Sequence, residues 1–248
     1  MAIGPPKFLF LHYGQPYFYP IVAVVDERIA GVGNGILNGR TGWLGNIIVH
    51  PDFRRKGIGR AITQNLIEYF QSKGCTSQLL VATPMGEGLY KKFGFKTISE
   101  YLFYKTEKKL KALANNRIRK LEIDDIEANM ELDRYAAGEE RGAFIKQFFS
   151  AGWVYEDDRS GKILGYFLPE CGNGLVIASD STAGLELLQF KHSRELKTAV
   201  IPSENIVARD FFEQNGFIQY LRAPRMILGE KVTWHPELVF SRAAGYWG

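Results

Sequence analysis

The segment Ile47-Ile48-Val49-His50-Pro51-Asp52-Phe53-Arg54-Arg55-Lys56-Gly57-Ile58-Gly59-Arg60 joins an apolar run to an amphipathic one through a basic turn that carries two glycines. An apolar run that stops at a proline predicts a strand, and from Ile58 onward Ala61, Ile62, Leu66, Tyr69 and Phe70 recur at helical spacing. Arg54 to Arg60 therefore fall at a helix N-terminus. The first backbone N–H groups there lack intrahelical partners, the helix dipole is positive, and glycines let a ligand approach the main chain. Such a turn suits a diphosphate.

The flanking residues predict a mixed sheet. Pro20 to Val25 and Ile29 to Gly33 read as strands joined by the polar turn Asp26-Glu27-Arg28. Asn38-Gly39 is a strong hairpin signal, because both central residues of a type I′ turn need positive φ, so strands near 29–37 and 42–49 should be antiparallel neighbours. The helix from Ile58 should stop at Gly74, after Lys73. Leu79-Leu80-Val81-Ala82 then reads as a buried strand parallel to its predecessor, since a helix connects the two. A short helix around Glu87 to Phe93 ends at Gly94, and Phe95 to Tyr104 returns as a strand. Before residue 20, Phe8-Leu9-Phe10-Leu11 is the candidate first strand.

The glycine spacing excludes two common nucleotide loops. A dinucleotide fingerprint would need a third glycine where Ile62 stands, and a P-loop would need Gly-Lys-Ser/Thr where Gly59 is followed by Arg60-Ala61. What remains is Arg-x-x-Gly-x-Gly at Arg54-Arg55-Lys56-Gly57-Ile58-Gly59, preceded by Val49-x-Pro51. This resembles the coenzyme A pyrophosphate loop of the GNAT acetyltransferase superfamily; a basic, solvated helix start is the alternative reading. The strand and helix order resembles the GNAT core as well, and Leu89-Tyr90-Lys91-Lys92-Phe93-Gly94-Phe95 is similar to the family's Leu-Tyr-x-x-x-Gly-Phe segment. The front departs from the pattern. The family has a strand and two helices before its second strand, and twenty residues are too few for them.

The resemblance implies a role for each matching residue. Backbone N–H groups from Arg55 to Arg60 would take the diphosphate of acetyl-CoA, with Arg54, Arg55, Lys56 and Arg60 adding charge around Gly57, Ile58 and Gly59. The free edge of Ile47, Ile48 and Val49 would pair with the pantetheine amides, an N–H near Ile48 or Val49 facing the thioester oxygen. Tyr90 is the candidate general acid, since a phenol of pKa ~10 can protonate a thiolate of comparable basicity; packing against the cofactor strand is its other reading. No carboxylate lies in Gly42 to Val49, which leaves Glu100 and His50 as candidate bases, or an amine that attacks without one.

Thr106 to Asn116, rich in lysine, is a connector, and beyond it the landmarks recur. Gly161-Lys162-Ile163-Leu164-Gly165-Tyr166 parallels Arg28 to Val32, and Asn215-Gly216-Phe217 parallels Phe93-Gly94-Phe95. The interval between these landmarks is shorter in the second half. The deficit falls on the phosphate turn, where Val176 to Leu185 has no arginine and places Asp180 where a cation is wanted. Phe212 stands at the place of Tyr90. Asp133-Arg134-Tyr135-Ala136-Ala137-Gly138-Glu139-Glu140-Arg141 and Arg225-Met226-Ile227-Leu228-Gly229 are similar to the C-terminal domain of a group of tandem GNAT proteins. Asp133 to Arg141 reads either as a solvated helix end or as part of an acceptor site. Trp234-His235-Pro236 and Tyr246-Trp247 should pack against one of the domains.

Composition narrows the class. The chain of 248 residues has a net charge of +4, and near its front the positive charge is densest at the phosphate turn and Lys91-Lys92. That suits a small polyanionic cofactor better than nucleic acid. No apolar run approaches the roughly 20 residues of a membrane helix, and the N-terminus lacks a signal-peptide layout, which predicts a cytoplasmic protein without a membrane partner. Cys75 and Cys171 have no metal-ligand spacing and read as free thiols.

The expectation is an α/β (α+β) protein of two tandem GNAT-like domains, each a mixed, mainly antiparallel sheet flanked by helices. Residues 1–106 would bind acetyl-CoA, 107–116 would link, and 117–248 would form a degenerate copy with a C-terminal tail. The activity implied is N-acetyl transfer to a primary amine on a small molecule or peptide, without a metal. A non-catalytic acyl-CoA-binding or regulatory module is the alternative.

Overall fold

The structure is a computed structural model and describes residues 12–112, 116–194 and 197–243. The candidate strand at 8–11 and the pair Tyr246-Trp247 lie outside these residues. The first half runs β1 (Phe18–Val25), β2 (Arg28–Asn38), β3 (Thr41–Val49), α1 (Ile58–Ser72), β4 (Ser77–Val81), α2 (Glu87–Lys92) and β5 (Lys96–Lys105). The second runs β6 (Ile118–Lys120), α3 (Ile126–Ala137), α4 (Gly142–Ile145), β7 (Trp153–Glu156), β8 (Ile163–Leu168), β9 (Leu175–Ala178) and α5 (Ser181–His192). It closes with β10 (Thr198–Pro202), α6 (Ile206–Gln214), β11 (Ile218–Gly229) and β12 (Val239–Ser241).

The two halves interlace. A seven-stranded sheet has the order β1-β2-β3-β4-β11-β5-β10, and a five-stranded sheet has the order β12-β9-β8-β7-β6. Among the described strands only β3 and β4 pair in parallel, as the intervening helix requires; the other neighbouring pairs are antiparallel. In the larger sheet β11 of the second half lies between β4 and β5 of the first, while β5 lies between β11 and β10. Each half thus lends its long late strand to the other. Neither β4 nor β5 has its ladder partner within the first half on that side.

One turn differs in detail from expectation. Asn38 pairs with Thr41, so the two-residue loop is Gly39-Arg40, and of the two only Gly39 has positive φ, at 61°. Asn38 stays in the strand because its side chain points inward and donates to Glu139 Oε2 at 3.1 Å. Positive φ at both central residues occurs one hairpin earlier, at Asp26 (48°) and Glu27 (62°).

The apolar faces follow the periodicities. Ile62, Leu66, Ile67 and Phe70 of α1 are buried against one face of the larger sheet with Leu44, Leu80 and Met226. A Cβ at Gly42 would lie 2.4 Å from Phe70 Cγ, so the glycine lets the helix seat its largest ring on β3. Odd residues of β3 and β4 face the other way. Trp43 and Leu79 there join Met130, Ala136, Phe144 and Ile145 of the second half in one buried cluster. Trp234, as expected, packs at this junction, its ring 4.0 Å from the Arg225 guanidinium. Cys75 is half-buried and Cys171 buried, both as free thiols. Among the described residues no helix is long and apolar enough to cross a membrane, and no group of three ligand side chains is placed to hold a metal.

Candidate active site

The basic turn closes on the N-terminus of α1. Arg55 (φ 62°) and Gly57 (φ 82°) both take left-handed conformations, which reverse the chain between the 3-10 turn at 51–53 and the helix. Gly57 is the N-cap residue, and no side chain caps the helix in its place. The leading N–H groups of a 15-residue helix are therefore left for solvent or a ligand. A Cβ on Gly57 would meet nothing within 4 Å, so the approach to those amides is open. Arg54, Arg55, Lys56 and Arg60 are exposed around it, and among the described residues none of the four pairs with a carboxylate. Phe53 anchors the turn from beneath: it is buried, and the Lys56 ammonium lies 5.3 Å from its ring centroid.

Next to this turn two strands part. The β3–β4 ladder contains only Thr41, Gly42 and Trp43 against Ser77, Gln78 and Leu79, so among the described residues β3 beyond Trp43 has no strand on its β4 side. A bulge displaces the register with β2 between Val32 and Asn34, and it centres on Asn46, whose φ is 51°. Asn46 Nδ2 donates to Asn34 Oδ1 at 2.6 Å and fixes the bulge. Ile47, Ile48 and Val49 follow, half-buried, with their second main-chain edge facing the gap. The turn and the free edge are continuous in sequence, and Arg54 Nε donates to Val49 O at 3.3 Å across the corner.

Tyr90 lies on α2, half-buried, with its ring packed back over Gly86 and at an edge-to-face distance of 6.0 Å from Phe95. Burial pushes its phenol up to about 12. No described residue hydrogen-bonds its hydroxyl. The two candidate bases sit elsewhere. Glu100, on β5, is separated from β4 by β11 and pairs with Arg222 at 2.9 Å on the surface. His50 caps the 3-10 turn, its Nδ1 accepting from the Asp52 amide at 3.3 Å.

A family model for the acetyltransferase (GNAT) family matches residues 4–95. That stretch is similar to the GNAT acetyltransferase family. An uncharacterized N-acetyltransferase of Bacillus subtilis, YitH, is 27% identical over 249 aligned residues, which cover 93% of this chain and 86% of the relative. Among solved structures, an acetyltransferase from Pyrococcus horikoshii superposes with a TM-score of 0.85 at 20% identity, covering 98% of this chain and 84% of that one. A tandem GNAT protein from the clavulanic acid biosynthesis pathway superposes with a TM-score of 0.60 at 14% identity, over 92% of this chain and 89% of that one. The GNAT fold thus extends over both halves.

Among the described residues the second GNAT-like half has no comparable anion cradle. Asp180 is the N-cap of α5, and its carboxylate accepts from the Ala183 amide at 3.0 Å. Asn205 likewise caps α6, accepting from Ala208 at 2.9 Å. Phe212, in the position matching Tyr90, is fully buried and stacks on Tyr104 at 5.2 Å.

The stretch Asp133 to Arg141 is not a solvated helix end. Arg141 donates to both oxygens of Asp133 at 2.8 Å from its Nε and Nη2, Tyr166 donates its hydroxyl to the same carboxylate, and both charged partners are buried. Burial works against the Arg141 charge, and the Asp133 carboxylate more than offsets it. Glu139 is buried too and accepts from Trp43 Nε1 at 2.7 Å. Sequence reasoning missed that Glu139 and Arg225 of the second half meet beside Trp43 of the first, because buried and exposed charges look alike in a sequence.

Proposed function

We propose that the protein is an N-acetyltransferase that moves an acetyl group from acetyl-CoA to a primary amine of a small molecule or peptide. Residues 1–106 hold the donor, and residues 117–248, joined through 107–116, close the acceptor side. The observation that carries this reading is the contrast among helix starts. The N-terminus of α1 is uncapped, open and ringed by cations, whereas α5 and α6 are capped by their own side chains.

Residues of the first half fit the donor. Amides from Arg55 to Arg60 take the diphosphate, with Arg54, Arg55, Lys56 and Arg60 supplying charge. The free edge at Ile47, Ile48 and Val49 takes the pantetheine amides, and an N–H near Ile48 or Val49 polarises the acyl oxygen; a donor so placed is worth roughly 3 kcal/mol. When bound, acetyl-CoA supplies an acetyl group activated as a thioester. The amine nitrogen bonds to the acyl carbon, the carbon–sulfur bond breaks, Tyr90 gives its phenolic proton to the sulfur, and the proton shed by the nitrogen passes to water, from which the Tyr90 phenolate is reprotonated. A phenol pushed up to about 12 stays protonated at every working pH. With Glu100 and His50 engaged on the surface, the amine reacts through its neutral fraction.

The test is release of free thiol from acetyl-CoA over a panel of amines. With chemistry rate-limiting, Tyr90→Phe should slow turnover by about 10²-fold or more. Turnover equal to wild type removes Tyr90 as proton donor. Affinity for the donor without turnover on any amine establishes a non-catalytic acyl-CoA binder instead.

A further inference from the structure

The main chain of β3 changes sides once along its length. A strand turns successive residues to alternate edges, so positions of one parity share an edge for as long as the alternation runs unbroken. Arg40 O accepts from the Thr76 amide at 2.9 Å, on the β4 side, whereas the His50 amide donates to Ala30 O at 2.9 Å, on the β2 side. Both positions are even, so the alternation between them has slipped by one residue. The slip is the bulge. Asn34 pairs with Gly45 and Val32 with Ile48, which leaves one residue of β3 over, and Asn46 at φ 51° marks the place. Beyond it Ile48 and His50 face β2, while Ile47 and Val49 turn their amides and carbonyls to the gap. Val49 O, released from β2, accepts from Arg54 Nε at 3.3 Å. Without the bulge, Ile48 alone of the three would face the gap.

Two carboxamides hold the bulged residue. Left-handed backbone is costly for a residue with a Cβ, and asparagine takes it most readily where its side chain finds a local hydrogen bond. Asn46 Nδ2 finds Asn34 Oδ1 at 2.6 Å, and Asn34 is buried on β2 directly across from Gly45. The glycines on either side of it, Gly33 and Gly35, face α1, where an added Cβ would lie 2.6 Å from Ile62 and from Phe70 respectively. Asn34 therefore points to the opposite face, the one on which Trp43 meets the second half. Its Nδ2 is buried there and makes no hydrogen bond to any described residue. An idle buried donor costs stability, and an apolar side chain of the same size would avoid that cost. Packing alone thus gives no reason for an amide at position 34.

We propose that Asn34 is a positioning residue for the acyl donor: through Asn46 it holds the bulge rigid and keeps the main chain of Ile47 and Val49 aimed at the gap. The inference rests on the acetyl-transfer reading, in which that edge takes the pantetheine arm. Asn34 touches neither the donor nor the reacting atoms; it acts through the backbone that does.

Two variants test it. Asn34→Leu removes the carboxamide bond and the idle donor together; Asn46→Gly removes the bond but keeps the left-handed backbone accessible, and serves if the first variant does not fold. In calorimetry either variant should bind acetyl-CoA about fivefold more weakly than wild type. Adenosine diphosphate, which carries the diphosphate without a pantetheine arm, should bind all three proteins alike. Unchanged affinity for acetyl-CoA overturns the proposal, and so does an equal fall for both ligands, which would mark general damage to the cradle. Amide hydrogen exchange reads the edge with no ligand present. In wild type Ile48 and His50 should exchange slowly and Ile47 and Val49 fast, and in either variant the protection of Ile48 should fall by about fivefold or more. Protection equal to wild type in both variants overturns the clamp. A wild-type protein that binds neither ligand sinks the acetyl-transfer reading on its own, while the exchange rates still decide whether Asn34 holds the edge.

Discussion

The Asp180 carboxylate accepts a hydrogen bond from the Ala183 amide at 3.0 Å and occupies, in the second half, the helix start that Gly57 leaves bare in the first. The negative charge answers the helix dipole from within the chain. A phosphate arriving there would meet a carboxylate in place of free amides. Removing that carboxylate does not create a cradle, because no arginine lies in Val176 to Leu185. Asp180→Ala should therefore lose about 1 kcal/mol of stability in urea unfolding and gain no second coenzyme site by calorimetry. A stoichiometry of two would contradict this.

The exchanged strands predict a single unfolding unit. A fragment ending at residue 106 keeps β4 and β5 but loses β11 between them and β10 beyond. It should show no cooperative thermal transition alone and recover one when residues 107–248 are supplied as a second chain. A fragment that melts sharply and binds acetyl-CoA like the full chain would show that the strand exchange is dispensable.

Buried Lys191 gives the stability a pH dependence of known sign. Its Nζ donates to Gly174 O at 2.9 Å and Ser241 Oγ at 2.5 Å, contacts that a neutral amine with two N–H bonds can satisfy. Burial pulls it from the ordinary 10.5 down to about 7. Between those values the unfolded chain binds a proton that the folded chain lacks, so stability rises with pH from about 7 to about 10.5 and this contribution is lost as pH falls. The slope should be at most about 1.4 kcal/mol per pH unit. Urea melts of wild type against Lys191→Met across that window read it as a difference, and parallel pH profiles would refute it.

The Asp133–Arg141 pair is buried on both sides, at 2% and 3% side-chain exposure, so losing one partner strands the other. Asp133→Ala should cost about 3–5 kcal/mol, whereas Asp133→Leu combined with Arg141→Met should recover most of it. Equal losses in the single and double variants, measured by urea unfolding, would mean that packing and not the stranded charge dominates.

What could be read in advance was local. Helix α1 declared itself through Ile62, Leu66 and Phe70, its start through Gly57 and its end through Gly74, because each signal lies within a few residues of what it controls. The Asn38-Gly39 turn misled by one residue, since the partner that holds Asn38 in β2 is Glu139, 101 positions away. The strand exchange was invisible for the same reason: Phe95 to Tyr104 reads as the returning strand of the first half, and nothing local in it names β11 and β10 as its partners. Arg225 looked like the start of a conventional ending, and only the fold places its guanidinium between Trp43 and Trp234.

Calorimetric titration of acetyl-CoA into wild type and Gly57→Glu bears most directly on the cradle at the start of α1. Gly57 sits at φ 82° beside open space, so glutamate there adds backbone strain of about 1 kcal/mol and sets a carboxylate against the diphosphate, on the surface and clear of the core. One site per chain in wild type, weakened by at least about tenfold in a Gly57→Glu protein with an unchanged circular dichroism spectrum, is the predicted result. Equal affinity in the two proteins would place the coenzyme elsewhere and contradict the account.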